Sequence, residues 1–213
     1  KTKFERIRQI ISQWKKGIIY CSTRKNVMTV FEEIQGYGST VVAYHAGMTD
    51  EEREFSQDAF ISGRADVVVA TNAFGMGIDR ADVRFVIHFE IPGSVEAYYQ
   101  EAGRAGRDGE LSVCELLFNH ADLKTQEFFF EGSNPSVELI RSVYNLLRAR
   151  CNPDTGELQM TVDAMAAELG KDVNPMGVGT SLSALIHAGA ITRSDVAGSN
   201  TRLTKVLNPV MPF

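Results

Sequence analysis

Short segments made almost wholly of apolar residues recur through the first 120 residues of the chain. They lie at residues 17–21, 40–44, 66–70, 85–89 and 112–118, and helical periodicity occupies residues 4–14, 25–34, 49–61 and 94–104. Strands that are apolar on both faces are typical of a parallel sheet that is covered by helices on both sides. The sequence therefore predicts an α/β domain built on a parallel sheet.

Polar residues and glycines follow several of these strands. They are Ser22, Arg24, His45, Thr71, Asn72, Gly77 and Asp79. Because ligands of open parallel sheets bind beyond the carboxyl ends of the strands, we expect these loops to meet in a binding site. The same residues also have a local interpretation, in which Ser22 and Thr71 cap the segments that follow them. In that interpretation His45 and Asp79 hydrogen-bond only within their own loops.

The helix predicted for residues 94–104 ends in a doubled Gly-Arg pattern that contains Arg104 and Arg107. Arginine is always charged, and its planar fork of donors fits phosphate oxygens. A glycine before each arginine lets the backbone turn sharply and approach a ligand. The pattern predicts two arginines aimed at a phosphate. The alternative is a helix end with surface salt bridges to Glu101 and Asp108.

The pattern of apolar residues changes near residue 132. Helices are predicted at 137–150, 162–169 and 176–188, and short strands at 158–160, 190–193 and 202–206. A helix, a turn, a second helix and a hairpin are typical of a winged-helix domain. We therefore predict two domains, 1–132 and 133–213.

The helix at 176–188 has an expected inner and outer face. Its inward residues should be Val178, Leu182, Leu185 and Ile186, and its more exposed residues Thr180, Ser181, Ser183, Ala184 and His187. No outward position is Lys or Arg, and affinity for duplex DNA depends largely on phosphate neutralisation. We therefore expect weak duplex binding by this domain, with contacts from Arg193, Arg202 and Lys205.

Charge and cysteine content restrict the possible classes of function. The net charge is −5, so a nucleic-acid site must be a local feature of the surface. Cys21, Cys114 and Cys151 lie far apart and show neither metal-ligand spacing nor a disulfide framework. This favours a reducing, cytoplasmic setting and predicts no zinc site. No apolar run approaches the about 18 residues that suggest a membrane span.

Three segments, in this order, resemble motifs of the RecQ family of ATP-dependent DNA helicases, which belongs to superfamily 2. They are YHAGM at 44–48, ATNAFGMGID at 70–79 and QEAGRAGRDG at 100–109. The resemblance implies a second RecA-like domain, with ATP lying between it and a first RecA-like domain. It also implies that Arg107 is an arginine finger and that Arg104 supports the γ-phosphate side.

The resemblance further divides the remaining residues into two sets. Those implied to line or couple the nucleotide cleft are Gln100, Gly77 and Asp79. Those implied to contact one DNA strand are Ser22, Arg24, His45, Thr71 and Asn72. The chain has no Gly-x-x-x-x-Gly-Lys-Ser/Thr motif and no Asp-Glu-x-His set, so ATP and Mg²⁺ would be bound mainly by the first domain.

The function expected from this resemblance is unwinding of duplex DNA, in the 3′ to 5′ direction, driven by ATP hydrolysis. Its setting would be DNA repair or recombination in the cytoplasm, at the nucleoid in a bacterium. Two other functions remain open. One is a non-catalytic winged-helix module that binds nucleic acid or protein and keeps the α/β domain as a scaffold. The other is half of an RNA helicase, because contacts to a phosphate backbone do not identify the sugar.

Overall fold

The computed structural model describes residues 2–75, 78, 80–196 and 201–207. Gly77, Asp79 and the predicted hairpin tip at 197–200 lie outside the described residues. Contacts divide the chain into two units, Lys1–Gln126 and Glu127–Phe213. The division falls at Gln126 rather than at residue 132, inside a helix.

The first unit contains a five-stranded sheet whose strands all run parallel. Its elements in chain order are α1 (Lys3–Trp14), β1 (Gly17–Tyr20), α2 (Arg24–Ile34), β2 (Val41–Tyr44), α3 (Asp50–Ile61), β3 (Val67–Ala70), β4 (Phe85–His88), α4 (Val95–Ala102), β5 (Val113–Leu116) and α5 (Ala121–Ser133). The strand order is β2-β3-β1-β4-β5, and every neighbouring pair is parallel. The predicted parallel α/β sheet is confirmed.

The sheet buries both of its faces because successive side chains of a strand point to opposite sides. Ile19 and Val69 point into a core shared with Val27 of α2. Ile18 and Val68 point into the opposite core, which Phe60 of α3 and the loop after β3 complete. Each fully buried apolar side chain stabilises the fold by about 1.5–3 kcal/mol, so this double burial accounts for the apolar segments in the sequence.

Helices α1 to α4 each begin at a side-chain cap. Thr49 and Glu52 form a capping box at the start of α3, with Glu52 N–H donating to Thr49 Oγ1 at 3.2 Å and Thr49 N–H to Glu52 Oε2 at 2.8 Å. Ser94 caps α4, which ends at Ala102. Arg24 was expected in a loop, but it is the first residue of α2, because Thr23 caps that helix.

Helix α5 was not predicted from the sequence. Its inward contacts in the first unit are polar: Asp122 binds Lys3 Nζ at 2.9 Å, and the Gln126 amide donates to Ser22 Oγ at 3.2 Å. A helix held by such contacts shows no apolar stripe, which is the signal on which periodicity depends.

The second unit is winged-helix-like. It contains α6 (Val137–Arg150), β6 (Glu157–Met160), α7 (Val162–Leu169), α8 (Pro175–His187), β7 (Ile191–Asp195) and β8 (Arg202–Val206). The three strands form an antiparallel sheet in the order β6-β8-β7. Its core includes Val143, Leu147, Val178 and Leu182. Among the described residues, no helix is long and apolar enough to cross a membrane.

The predicted inner face of α8 is wrong at two positions. Ser181 is fully buried, and its hydroxyl donates to the Gly177 carbonyl at 2.7 Å. Ile186 is 41% exposed. A Cβ on Gly177 would lie only 3.1 Å from Leu139 of α6, so the small residues of α8 allow this close packing. Compared with the predicted orientation, α8 is rotated so that Ser181 is buried and Ile186 is exposed.

Candidate functional site

The end of α4 carries both arginines of the doubled Gly-Arg pattern. The last turn is held by backbone hydrogen bonds from Gly103 N–H to the Tyr99 carbonyl at 3.0 Å and from Arg104 N–H to the Glu101 carbonyl at 3.2 Å. Gly106 then adopts φ 66°, a left-handed conformation that glycine reaches without strain. A Cβ there would lie 2.6 Å from Ser112 Oγ. The chain therefore needs glycine at this turn.

The two acids beside the arginines are bound by other side chains. Glu101 Oε2 lies 2.9 Å from His88 Nε2, and both residues are buried. Asp108 pairs with Arg84. The carboxylates that the alternative interpretation assigned to Arg104 and Arg107 thus have partners elsewhere.

Arg104 lies against the loop that follows β3. A Cβ built on Gly75 would be 2.5 Å from Arg104 Nη2, so the guanidinium occupies the space that a side chain would fill. Arg104 Nε is buried and has no hydrogen-bond partner within the described residues. Burial raises the pKa of the nearby Tyr20 hydroxyl, and the charge of Arg104 opposes that rise.

Arg107 is exposed and reaches the same loop. Its Nη1 donates to the Ile78 carbonyl at 3.3 Å. Gln100 is exposed near the end of α4. The structure brings Arg104 and Arg107 together at the loop that follows β3, through Gly75 and Ile78.

Arg80 fastens this loop to the body of the unit. The Arg80 side chain is buried, and its Nη1 donates to the carbonyls of Phe60 and Ala65, each at 2.7 Å. Its Nε donates to Asp82 at 2.6 Å. The loop beside the arginines is therefore anchored at its far end.

The predicted strand-contact residues lie at the carboxyl edge of the sheet. β2, β3 and β1 are neighbours, so His45, Thr71 and Ser22 follow adjacent strands. The side chain of Arg24 reaches the loop that follows β2. A Cβ built on Gly47, which lies in that loop, would be 2.9 Å from Arg24 Nη1. The structure thus brings these residues to one edge of the sheet.

These residues differ in how far solvent can reach them. Arg24 and Asn72 are exposed and His45 is half-buried, whereas Thr71 is buried. His45 Nδ1 accepts the Gly47 N–H at 3.1 Å. The exposed members keep polar groups available to a ligand.

Ser22 is engaged within the chain. Its N–H donates to Glu90 Oε2 at 2.8 Å, and its hydroxyl donates to the Ile91 carbonyl at 3.3 Å. Glu90 also accepts from the Asn26 side chain at 2.7 Å. Sequence reasoning missed Glu90, because nothing in its neighbourhood marks a buried acid.

The start of α2 adds positive charge to the edge. Its first turn contains no acid, and it begins with the exposed pair Arg24 and Lys25. Helix N-termini carry partial positive charge and attract phosphate. Lys25 was not singled out from the sequence, although its place after a predicted strand end was a usable signal.

The family described as the helicase conserved C-terminal domain matches residues 2–109. The chain belongs to this family. ATP-dependent DNA helicase RecQ of Bacillus subtilis is 46% identical over 117 residues, which are 55% of this chain and 20% of that protein. RecQ-like DNA helicase BLM of Xenopus laevis is 50% identical over 108 residues, which are 50% of this chain and 8% of that protein. The resemblance to RecQ helicases is confirmed, and the chain spans a fifth or less of these two relatives.

A solved structure shows the same fold at low sequence identity. The DEAD box protein of the hyperthermophile Methanococcus jannaschii aligns with a TM-score of 0.51 and 23% identity, over 61% of this chain and 36% of that chain. The RecA-like fold class is confirmed for the first unit.

The match to the helicase family model ends at residue 109, before the second unit, whose expected DNA contacts are partly neutralised. Arg202 Nε lies 2.8 Å from Asp195, and Lys205 Nζ lies 4.0 Å from Glu157. Desolvation lowers the pKa of Arg193, which is partly buried. Strong phosphate binding is therefore not expected from Arg193, Arg202 and Lys205. Within the part of the chain that the structure describes, no three His, Cys, Asp or Glu residues could hold a metal ion.

Proposed function

We propose that this chain supplies the second RecA-like domain of an ATP-dependent DNA helicase motor, followed by a winged-helix-like unit. The observation that carries the proposal is the arginine pair at the end of α4. Arg104 lies beside Gly75 with a buried Nε that has no partner among the described residues. Arg107 is exposed beside it. Such a site fits an anionic phosphate.

In this proposal Arg107 is the arginine finger. A guanidinium at that place stabilises the negative charge that develops on a transferred phosphoryl group. Arg104 supports the γ-phosphate side, and Gln100, Gly77 and Asp79 line or couple the cleft. ATP supplies the phosphoryl group, and Mg²⁺ neutralises its charge. Both are bound mainly by a first RecA-like domain, which is the partner of this one.

The carboxyl edge of the sheet contacts one DNA strand in this proposal. Arg24 and Lys25 bind phosphates at the start of α2, while His45, Thr71 and Asn72 contact the backbone beside them. Ser22 supports the edge through its hydrogen bonds to Glu90 and Ile91.

The loop after β3 joins the two sites. It begins with Thr71 and Asn72 at the edge and reaches Arg104 at Gly75. A change at the phosphate can therefore reach the bound strand through five residues of chain, which is a short path for coupling hydrolysis to translocation. The reported relatives are named DNA helicases, which favours DNA over RNA. We propose 3′ to 5′ unwinding in repair or recombination, in the cytoplasm and at the nucleoid if the source is bacterial.

The experiment compares Arg107→Ala, Arg107→Lys and the unmodified sequence in the longer helicase that the proposal implies. We expect Arg107→Ala to lower kcat for DNA-stimulated ATP hydrolysis about 10³-fold, with the KM for ATP nearly unchanged. Arg107→Lys should restore little, because a point charge lacks the planar fork. A raised KM with unchanged kcat would show that Arg107 is not the finger.

A further inference from the structure

His88 and Glu101 form a buried polar pair between the sheet and α4. The side chain of His88 is 1% exposed and that of Glu101 is 11% exposed, and their nearest atoms are 2.9 Å apart. Glu101 is the buried residue of α4. An eight-residue helix that turns a carboxylate inward is unusual, because burying a charge is costly unless it is paired and hydrogen-bonded.

The ring of His88 is held from two sides. Tyr20 pairs with His88 across β1 and β4, and their ring centroids are 5.7 Å apart. The ring centroid of Tyr98 of α4 lies 4.9 Å from that of His88. His88 Nδ1 is buried and has no hydrogen-bond partner in the described part of the chain. The imidazole is therefore fixed in place, and Glu101 is the one hydrogen-bond partner of its ring among the described residues.

The backbone of Glu101 connects this buried pair to the turn that carries Arg104. The Glu101 carbonyl accepts the Arg104 N–H at 3.2 Å, and the Ala102 carbonyl accepts the Ala105 N–H at 3.1 Å. The side chain of Glu101 is thus joined to the sheet while its backbone holds the turn that carries Arg104. The ring of Tyr20 stacks on that of His88, and the charges of Arg104, Glu101 and Arg107 affect the pKa of its hydroxyl.

We propose that His88 is a positioning residue: through Glu101 it holds the last turn of α4, and so sets where Arg104 and Arg107 point. The proposal rests on the function proposed above for the two arginines. The geometry itself can be tested in this 213-residue chain without any activity.

The first experiment measures amide hydrogen exchange in the chain with His88→Phe, which keeps a ring but removes the bond to Glu101. We expect exchange at Gly103, Arg104 and Ala105 to rise at least about tenfold, with the amides of β1 unchanged. The matched control is Glu115→Gln. Glu115 binds Arg6 of α1 at 2.6 Å through each oxygen. Its register partner is Ile87, so its side chain lies on the sheet face opposite to His88, and this variant should leave the three amides protected.

The second experiment measures steady-state ATP hydrolysis in the longer helicase. We expect His88→Phe to lower kcat about tenfold or more and to change the KM for ATP less than about twofold, because a misplacement near 1 Å can cost about 10²-fold. Glu101→Gln, which keeps a hydrogen-bonding side chain, should retain most of the rate. If His88→Phe does not fold, the double variant described next replaces it.

The double variant His88→Phe with Glu101→Leu separates positioning from stability. An apolar pair of similar size often restores stability, so its melting temperature should recover while kcat and the protection of the three amides stay low. If kcat and the protection of the three amides recover along with the melting temperature, packing alone positions the arginines and the proposal is wrong. Unchanged amide exchange in His88→Phe would also overturn it. An unmodified helicase without ATP hydrolysis would refute the proposed function, while the exchange result would still decide the role of His88.

Discussion

Adding one methyl group at Gly75 should displace Arg104 without unfolding the chain. The new Cβ would lie 2.5 Å from Arg104 Nη2 and 3.0 Å from Cζ. Carbon contacts are most favourable at about 3.5–4.0 Å, so the guanidinium must retreat by about 1 Å. The atoms it meets are the far end of a flexible side chain, and Gly75 does not occupy the left-handed region. We expect Gly75→Ala to change the free energy of unfolding by less than about 1 kcal/mol.

The same displacement should be costly for catalysis. A misplacement near 1 Å can lower a rate about 10²-fold, which corresponds to about 2.7 kcal/mol in the activation barrier. The assay is steady-state ATP hydrolysis by the longer helicase at saturating single-stranded DNA, together with thermal unfolding of both variants. Gly36→Ala is the matched control, since nothing lies within 4 Å of a Cβ at that position. A full kcat in Gly75→Ala, with an unchanged melting temperature, would refute a phosphate role for Arg104.

Three further outcomes are expected. The 213-residue chain alone should show no DNA-stimulated ATP hydrolysis, because its sequence has no phosphate-cradle motif. The second unit, Glu127–Phe213, should bind duplex DNA weakly by fluorescence anisotropy, and Asp195→Ala should steepen the salt slope by about one because it releases Arg202. The hydrogen bond from Arg80 holds the pKa of Asp82 well below its usual range. The ionised Asp82 therefore stabilises the fold above about pH 4, its unfolded-state pKa, and this contribution is lost as the pH falls. Urea unfolding of Asp82→Asn should show a loss of up to about 1 kcal/mol at pH 7, which disappears toward pH 2.

Each of these outcomes has a clear contrary result. Turnover by the chain alone that survives repurification and vanishes in Arg107→Ala would contradict the first. Tight duplex binding with a steep salt slope in the unmodified second unit would contradict the second. Parallel pH curves for Asp82→Asn and the unmodified chain would mean that the Asp82 pairs add nothing to stability.

Local sequence determined much of the first unit. Its buried strands are apolar on both faces, so short segments such as 66–70 predicted the sheet without reference to distant residues. Caps such as Thr49 and Ser94 bind backbone N–H groups within the first turn of their own helices. The doubled Gly-Arg pattern is local too, and it was enough to predict an arginine pair beside a turn.

Features that depend on distant partners were decided only by the tertiary structure. Helix α5 is held by Lys3 and Ser22, more than 100 residues away in the chain, so it has no apolar stripe to detect. The outward turn of Ile186 follows from how closely α6 and α8 can approach. Glu101 could have bound an arginine, but His88 on the sheet holds it. Periodicity and capping are local properties, whereas the partner of a buried polar group is fixed only when the strands and helices pack.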